Sequence, residues 1–341
     1  MLLQTIFRKA LTSPEDFPRR SRGIPEFMSR TSSVRRKITG IPAMILPALT
    51  ILFVSCSEWT DTESIPVESI YPWESEPELW EEYKADLRDY KSHEHSVVYA
   101  RFENSPENPV SEKASMRNLP DSLDIISLTN ADNFSSFDAE DMAWMKSVGT
   151  KVLYQLDFAG RLDEFSDETK LNAYIDGVIE AVNVNGLDGY SFTGTPKSGD
   201  QQREEMSRKI VEKLDKARTS GQPVVFEGSH SFIAQEDISK IDLFVLPTEN
   251  LERSWDLNNI LTEARNYGVP DDKILIAARL DGIWYNEENV EMPVIQAMAD
   301  NVGRYGPMAG LALYGIEDDY FHMDGTWMTV RSAIERLNPS K

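Results

Sequence analysis

The sequence predicts an α/β chain whose main part is a (β/α)8 TIM barrel. Three observations predict it. Eight short apolar runs recur between residues 96 and 315, helix-patterned segments separate most of them, and together they span roughly the 250 residues usual for that fold. No glycine-rich phosphate loop follows any run, which disfavours the doubly wound open sheet.

In chain order the predicted strands are SVVYARF (96–102), LDIISLT (123–129), KVLYQLDF (151–158), LDGYSFT (187–193), PVVFEGS (223–229), DLFVLPT (242–248), KILIAAR (273–279) and MAGLALYG (308–315). Their near-continuous apolar character fits parallel strands buried on both faces. FDAEDMAWMKSVG, ETKLNAYIDGVIEAVNVNG, QQREEMSRKIVEKLDKART and WDLNNILTEARNYG carry apolar residues three and four apart, the spacing of helices. Several end in Gly, and Ser166-Asp167 offers a cap to one of them. The weak unit lies between strands five and six, where HSFIAQEDISK has room for only a short helix. Trp144 and Trp255, at helical spacing among apolar neighbours, read as packing of the outer layer.

The barrel is expected to be a single domain over residues 77–341, with two segments before it. Residues 1–55 carry nine Lys/Arg and three Asp/Glu, whereas residues 56–341 carry a formal charge of −28. Arg35-Arg36-Lys37 precedes the apolar run ITGIPAMILPALTILFVSC, a basic region and apolar core of the secretory-signal type, removed on maturation. The run from Ile41 to Ser55 is short for a membrane span and contains two prolines. The basic stretch before Met28 has no role in such a signal and reads as sequence upstream of the true start. Cys56, the only cysteine in the chain, directly follows FVS and is placed as a lipoprotein acceptor, so the chain would be anchored to a membrane by lipid. Intrachain disulfides are excluded. Residues 56–76 are acidic, contain prolines and lack apolar period, as expected of a tether. The strong negative charge argues against a nucleic-acid partner.

In a (β/α)8 barrel the active face is built from the C-terminal strand ends and the loops after them. Function is therefore sought at Asn104, Asn130–Asn133, Asp157–Gly160, Ser191–Thr195, Glu227–Ser229, Thr248–Asn250, Asp281–Tyr285 and Tyr314–Asp319. The histidines His93, His95, His230 and His322 form no ligand spacing, so neither metal nor cofactor is expected.

The fourth strand, VNVNGLDGYSFTGTP, resembles the signature of glycoside hydrolase family 18, in which the strand reads roughly L-D-G-x-D-x-D-x-E. Side chains two apart on a strand share a face, so the acidic positions of that pattern point together into the barrel mouth. The resemblance implies a general acid at its final position and, two before it, an aspartate that orients the substrate's N-acetyl group, the internal nucleophile. Leu187, Asp188 and Gly189 match the start. Ser191, Thr193 and Thr195 then stand where the family has Asp, Asp and Glu. None of these hydroxyls can serve as a carboxylic acid, and a missing general acid alone costs about 10²–10⁴ in rate. The third strand lacks the family's S-x-G-G, reading YQLDFAG, and the sixth, LFVLPTEN, lacks its tyrosine. EEYKADLRDYKSHEHSVVYARFEN is similar to the approach to the first strand in surface lipoproteins of Bacteroidota, and GLALYGIEDD to the family's last strand, with Tyr314 in place of the tryptophan that floors the sugar site.

These residues imply a chitinase-like pseudoenzyme. The expected function is a non-catalytic glycan-binding lipoprotein of the outer membrane, at the cell surface or its periplasmic face. It would capture N-acetylglucosamine-containing glycans for uptake or degradation, beside outer-membrane glycan-uptake proteins. Expected contacts are Tyr190, Glu227, Glu249, Trp284, Tyr314, Glu317 and Asp318, aromatics stacking on sugar C–H faces and acids accepting from hydroxyls. One alternative is an active endo-β-N-acetylglucosaminidase or chitinase with relocated acids, for which Asp157 and Asp281 are the candidates. The other is a scaffold lipoprotein.

Overall fold

A computed structural model describes residues 72–105, 109, 111–165, 167–196 and 200–339. The leader 1–55, Cys56, most of the tether and Ser166 lie outside the described residues. Ahead of the barrel, Pro72–Ser75 form a helical turn.

Within residues 78–341, eight parallel strands close into a barrel: β1 (Val97–Phe102), β2 (Ile125–Leu128), β3 (Lys151–Leu156), β4 (Gly189–Gly194), β5 (Val224–Gly228), β6 (Leu243–Leu246), β7 (Ile274–Arg279) and, after a small hairpin, β10 (Gly310–Tyr314). Around the barrel they run β1-β10-β7-β6-β5-β4-β3-β2. Each predicted strand is present. Alternation divides their side chains: Tyr99, Ile125, Leu153, Val225, Val245, Leu275 and Ala312 fill the interior, whereas Phe102, Tyr190, Phe192, Phe226 and Phe244 face the helices.

The start of β4 shows what Asp188 and Gly189 do. The Val152 N–H donates to the Asp188 carboxylate at 3.0 Å, and the Asp188 N–H donates to the Val152 carbonyl at 2.7 Å. The same two-way clasp joins Asp124 to Val98 (2.8 and 3.1 Å) and Asp242 to Val224 (2.8 and 2.9 Å). Thus an aspartate immediately before β2, β4 and β6 accepts an N–H at the start of the preceding strand, from its second residue at Val98 and Val152 and its first at Val224. Gly189 is required for space, because a Cβ there would lie 2.5 Å from the Pro223 carbonyl oxygen. The best-matched part of the fourth-strand motif is barrel carpentry at the end away from the mouth.

Helices α1 (Pro77–Ser92), α2 (Ser136–Val148), α3 (Glu168–Asn185), α4 (Gln201–Ala217), α5 (Ser254–Tyr267), α6 (Val294–Tyr305) and α7 (Met328–Leu337) make the outer layer. Ser135 and Asp138 form a capping box on α2, and Asp167 alone caps α3 among the described residues. The short β5–β6 connection holds only 3-10 turns, as predicted. Among its described residues the β1–β2 connection likewise holds only 3-10 turns, at Glu112–Ala114 and Met116–Asn118, which the sequence did not suggest. After β7 the chain forms an antiparallel hairpin, β8 (Ile283–Tyr285) with β9 (Glu291–Pro293), also unforeseen. At the far end, the Lys91 ammonium of α1 donates to the carbonyls of Asp121 and Leu123 and to Thr150 Oγ1 at 2.6–2.7 Å, and burial pushes its pKa down to about 8.

Two outcomes are expected. Asp188→Ala loses about 1–3 kcal/mol by urea unfolding, because a buried N–H is left without its charged acceptor. The second concerns His95, whose Nε2 lies 2.8 Å from Asp124. That hydrogen bond raises the imidazole's pKa above its ordinary value. The stabilisation is therefore full below about pH 6.5, the unfolded value, and fades as pH rises through the higher folded value. His95→Gln should flatten this part of the stability–pH curve, measured by thermal unfolding at stepped pH.

Candidate functional site

At the mouth end of the barrel interior, one carboxylate organises the residues around it. Glu227 on β5 is only 2% exposed. Its Oε1 accepts from Tyr99 Oη at 2.7 Å, Gln155 Nε2 at 2.7 Å and, at 3.4 Å, Ser127 Oγ. Its Oε2 accepts from Arg101 Nε at 2.5 Å and Tyr314 Oη at 3.1 Å. These donors come from β1, β2, β3 and β10, all on inward positions reached by strand alternation. Ser127 Oγ and Ser191 Oγ, 2.7 Å apart, continue the network onto β4.

Burial alone would raise the Glu227 pKa. The Arg101 charge and the hydrogen bonds from Tyr99, Gln155 and Arg101 outweigh it and hold the carboxyl below the usual carboxylate range. Burial and the Glu227 charge push Tyr99 and Tyr314 well above the ordinary phenol value. Glu227 is thus fixed as an anion with every neighbour arranged to donate to it. A general acid must instead carry a proton at working pH. The Arg101 guanidinium also lies 4.0 Å from the centroid of the Tyr314 ring. Tyr314, expected as the sugar floor, is 4% exposed and already has a cation against its face.

The motif hydroxyls are spent within the protein or face solvent. Thr193 Oγ1 donates to Asp157 Oδ1 at 2.8 Å and accepts from the Ala159 N–H at 2.9 Å. Asp157 also accepts from the Gly160 N–H at 3.0 Å, so it holds the loop after β3. Thr195 is exposed. Asp281, the other relocated-acid candidate, is exposed on the loop after β7 and paired with Arg279 Nε at 3.0 Å, and that hydrogen bond and charge lower its pKa.

The expected binding residues fare unevenly. Tyr190 faces the helices and is fully buried, because it has the opposite strand parity to Ser191 and Thr193. Trp284 is 3% exposed and packs into the core beneath the hairpin, so it offers no face for stacking. Glu227 lies inside the barrel rather than on its rim. Glu317 accepts from the Glu103 N–H at 2.7 Å, joining the loops after β1 and β10, and burial raises its pKa. Asp318 is exposed. Glu249, after β6, is half-buried, and its shielded Oε2 takes no hydrogen bond. Asn104 is buried and serves loop structure, donating to Asp138 at 2.9 Å and accepting from the Asn130 N–H at 3.1 Å.

Sequence reasoning overlooked Arg101, Tyr99 and Gln155. Parity carried a signal: Tyr99 and Arg101 alternate on β1, and an arginine on the inward side of a barrel strand requires a carboxylate across from it.

The sequence profile of glycoside hydrolase family 18, BT1044-like, matches residues 60–191. The barrel is family 18-like. The profile match ends at Ser191, the first inward position of β4 where a hydroxyl stands in place of an acid. No curated protein matches the chain. Among solved structures, a selenomethionine BT1044 carrying a glutamate-to-glutamine substitution aligns at TM-score 0.62 and 17% identity, covering 78% of this chain and 95% of the other. An amidated double mutant of the endo-β-N-acetylglucosaminidase of Cordyceps militaris, in complex with fucosyl-N-acetylglucosamine-Asn, aligns at 0.58 and 16%, covering 75% and 95%. YKL-39 in the presence of chitooligosaccharides aligns at 0.55 and 9%, covering 72% and 100%. At these identities the structural likeness concerns the fold.

The buried pair makes a directional prediction. Arg101→Met or Glu227→Gln alone should cost on the order of 3 kcal/mol, since each leaves a buried partner uncompensated. The double variant should recover much of that loss. Additive single-variant losses in chemical unfolding would contradict the coupling.

Proposed function

We propose that the chain is a glycan-binding protein that holds N-acetylglucosamine-containing glycans without cleaving them. The observation that carries this reading is the state of Glu227: the carboxylate inside the family 18-like mouth is locked as an anion by Arg101, Tyr99, Gln155 and Tyr314. Thr193 and Thr195 stand at the positions of the orienting aspartate and the acid, and Thr193 is committed to Asp157. Without a proton donor at the fourth strand, the leaving oxygen of a glycoside lacks the acid that the family 18 pattern places there. Support for a glycan ligand comes from the barrel's likeness to an endo-β-N-acetylglucosaminidase held with fucosyl-N-acetylglucosamine-Asn and to YKL-39 with chitooligosaccharides. Glu249 supplies a local contact, a shielded acceptor oxygen at the mouth that a sugar hydroxyl or amide N–H would satisfy.

The same proposal places the protein on the outer membrane through a lipid on Cys56, delivering captured glycan to partner enzymes and uptake proteins. The leader pattern and the acidic tether support this placement.

The test uses the full chain with Cys56→Ser. Incubated with chitooligosaccharides and N-glycans, it should give calorimetric binding and no product by mass spectrometry, and Glu249→Ala should weaken binding several-fold. Product formation would overturn the non-catalytic reading, and Glu317 and Glu249 would be the first residues to replace.

A further inference from the structure

Large apolar side chains exposed to solvent are unevenly placed on this barrel. Trp255, 63% exposed, is the second residue of α5, which follows β6. Exposed Ile283 and Val290 lie in the β8–β9 hairpin and its turn, which follow β7. Phe321, 75% exposed, and Met323 follow β10. Strands β6, β7 and β10 are consecutive in the barrel, so these side chains share one side of the mouth rim. Trp255 therefore differs from its predicted role: it does not pack in the outer layer. Trp144 does, stacked on Trp80 at 5.6 Å between ring centroids.

The surrounding backbone is held in place. The Tyr285 N–H donates to the Glu252 carbonyl at 2.9 Å, binding the hairpin to the loop after β6. Arg253 bridges the same two segments, donating to Asn289 Oδ1 at 2.7 Å with its guanidinium 5.4 Å from the Tyr285 ring centroid. The hairpin turn is fixed by Asn286 Oδ1, which accepts from Glu288 and Val290 at 3.0 and 2.9 Å. Asn289 takes the left-handed conformation at φ 64°, which asparagine tolerates well. Phe321 is braced edge-on by Tyr320, 4.8 Å away at 88°. Exposed rings on a fixed frame are ready-made contact surfaces at low entropic cost.

We propose that this rim, centred on Trp255, is a binding platform for the outer sugars of a glycan, taking a pyranose ring by its C–H face. The inference rests on the glycan-binding reading and moves its recognition outward. Inside the mouth, Tyr314 is covered by Arg101 and Trp284 is buried, so the aromatic faces left to a ligand are those of the rim. The chemistry of the neighbours selects a sugar over a protein. Trp255 follows Glu252 and Arg253 in the chain, and Arg253 in turn donates to Asn289 Oδ1, so the segment carrying the ring is charged and polar, whereas the centre of a protein interface is depleted of charge. A flat apolar ring bordered by polar groups matches a pyranose, which is apolar on its faces and polar at its edge.

The test measures binding of chitotetraose and of a free complex-type N-glycan to the full chain with Cys56→Ser, by calorimetry and tryptophan fluorescence. Trp255→Ala should weaken binding roughly tenfold, Trp255→Phe should retain most of it, and Phe321→Ala should weaken the longer ligand more than the shorter. Both positions are exposed, so the unfolding midpoint should be unchanged in all three variants. Undiminished affinity in Trp255→Ala, with the parent protein binding, overturns the platform and leaves the glycan-binding reading standing. No binding by the parent protein overturns both. If Trp255→Ala instead abolishes self-association or binding to phosphatidylglycerol vesicles while sugar affinity is unchanged, the platform proposal is also overturned.

Discussion

A charge inside a narrow parallel barrel must be matched on every side, and the Glu227–Arg101 pair imposes that constraint here. The interior of an eight-stranded barrel is filled by side chains and admits little water. A carboxylate there survives as an anion only if donors surround it. Tyr99, Gln155, Ser127 and Tyr314 are the donors, each from a different strand, and Arg101 balances the charge. Replacing any one of them changes what the others must do, so the mouth behaves as one unit.

That unit accounts for the functional reading. A family 18-like mouth needs an acid that can give up a proton from the end of the fourth strand. In this chain the fourth strand presents hydroxyls, and the buried carboxylate stands one strand over on β5, with Thr193 and Glu227 as register partners. There the negative charge meets Arg101 and is stabilised as an anion. The guanidinium that performs this role also covers the Tyr314 ring. On the proposed reading, the same arginine both holds the buried carboxylate as an anion and covers the Tyr314 ring, which would leave recognition to the rim.

Much of the fold was legible because parallel barrel strands are buried on both faces and appear as apolar runs. All eight runs became strands, and the α-helices followed where apolar spacing of three and four was clear. The β1–β2 connection misled, since 3-10 turns have no period that marks them in a sequence. The site was legible only as far as strand parity was applied. Parity correctly placed Ser191 and Thr193 inside, and applied equally to Tyr190 it would have put that ring outside. Trp284 and Trp255 show the limit of local reading: one turns into the core from a strand of a hairpin that was not foreseen, and the other is the second residue of a helix whose buried face turns away from it. Asp188 gained its meaning only from Asp124 and Asp242, because the clasp is recognisable as a set of three and not from a single motif.

The central claim is that Glu227 is a locked anion and not a poised acid. Its direct measurement is a carbon-13 NMR titration of the glutamate side-chain carboxyls, with the Glu227 signal assigned by its disappearance in Glu227→Gln. The account predicts a resonance that stays at the ionised position throughout the neutral range and down through the pH where ordinary carboxylates titrate. A Glu227 signal that takes up its proton near neutral pH would contradict it, and would return this barrel to the acid-catalysed glycosidases.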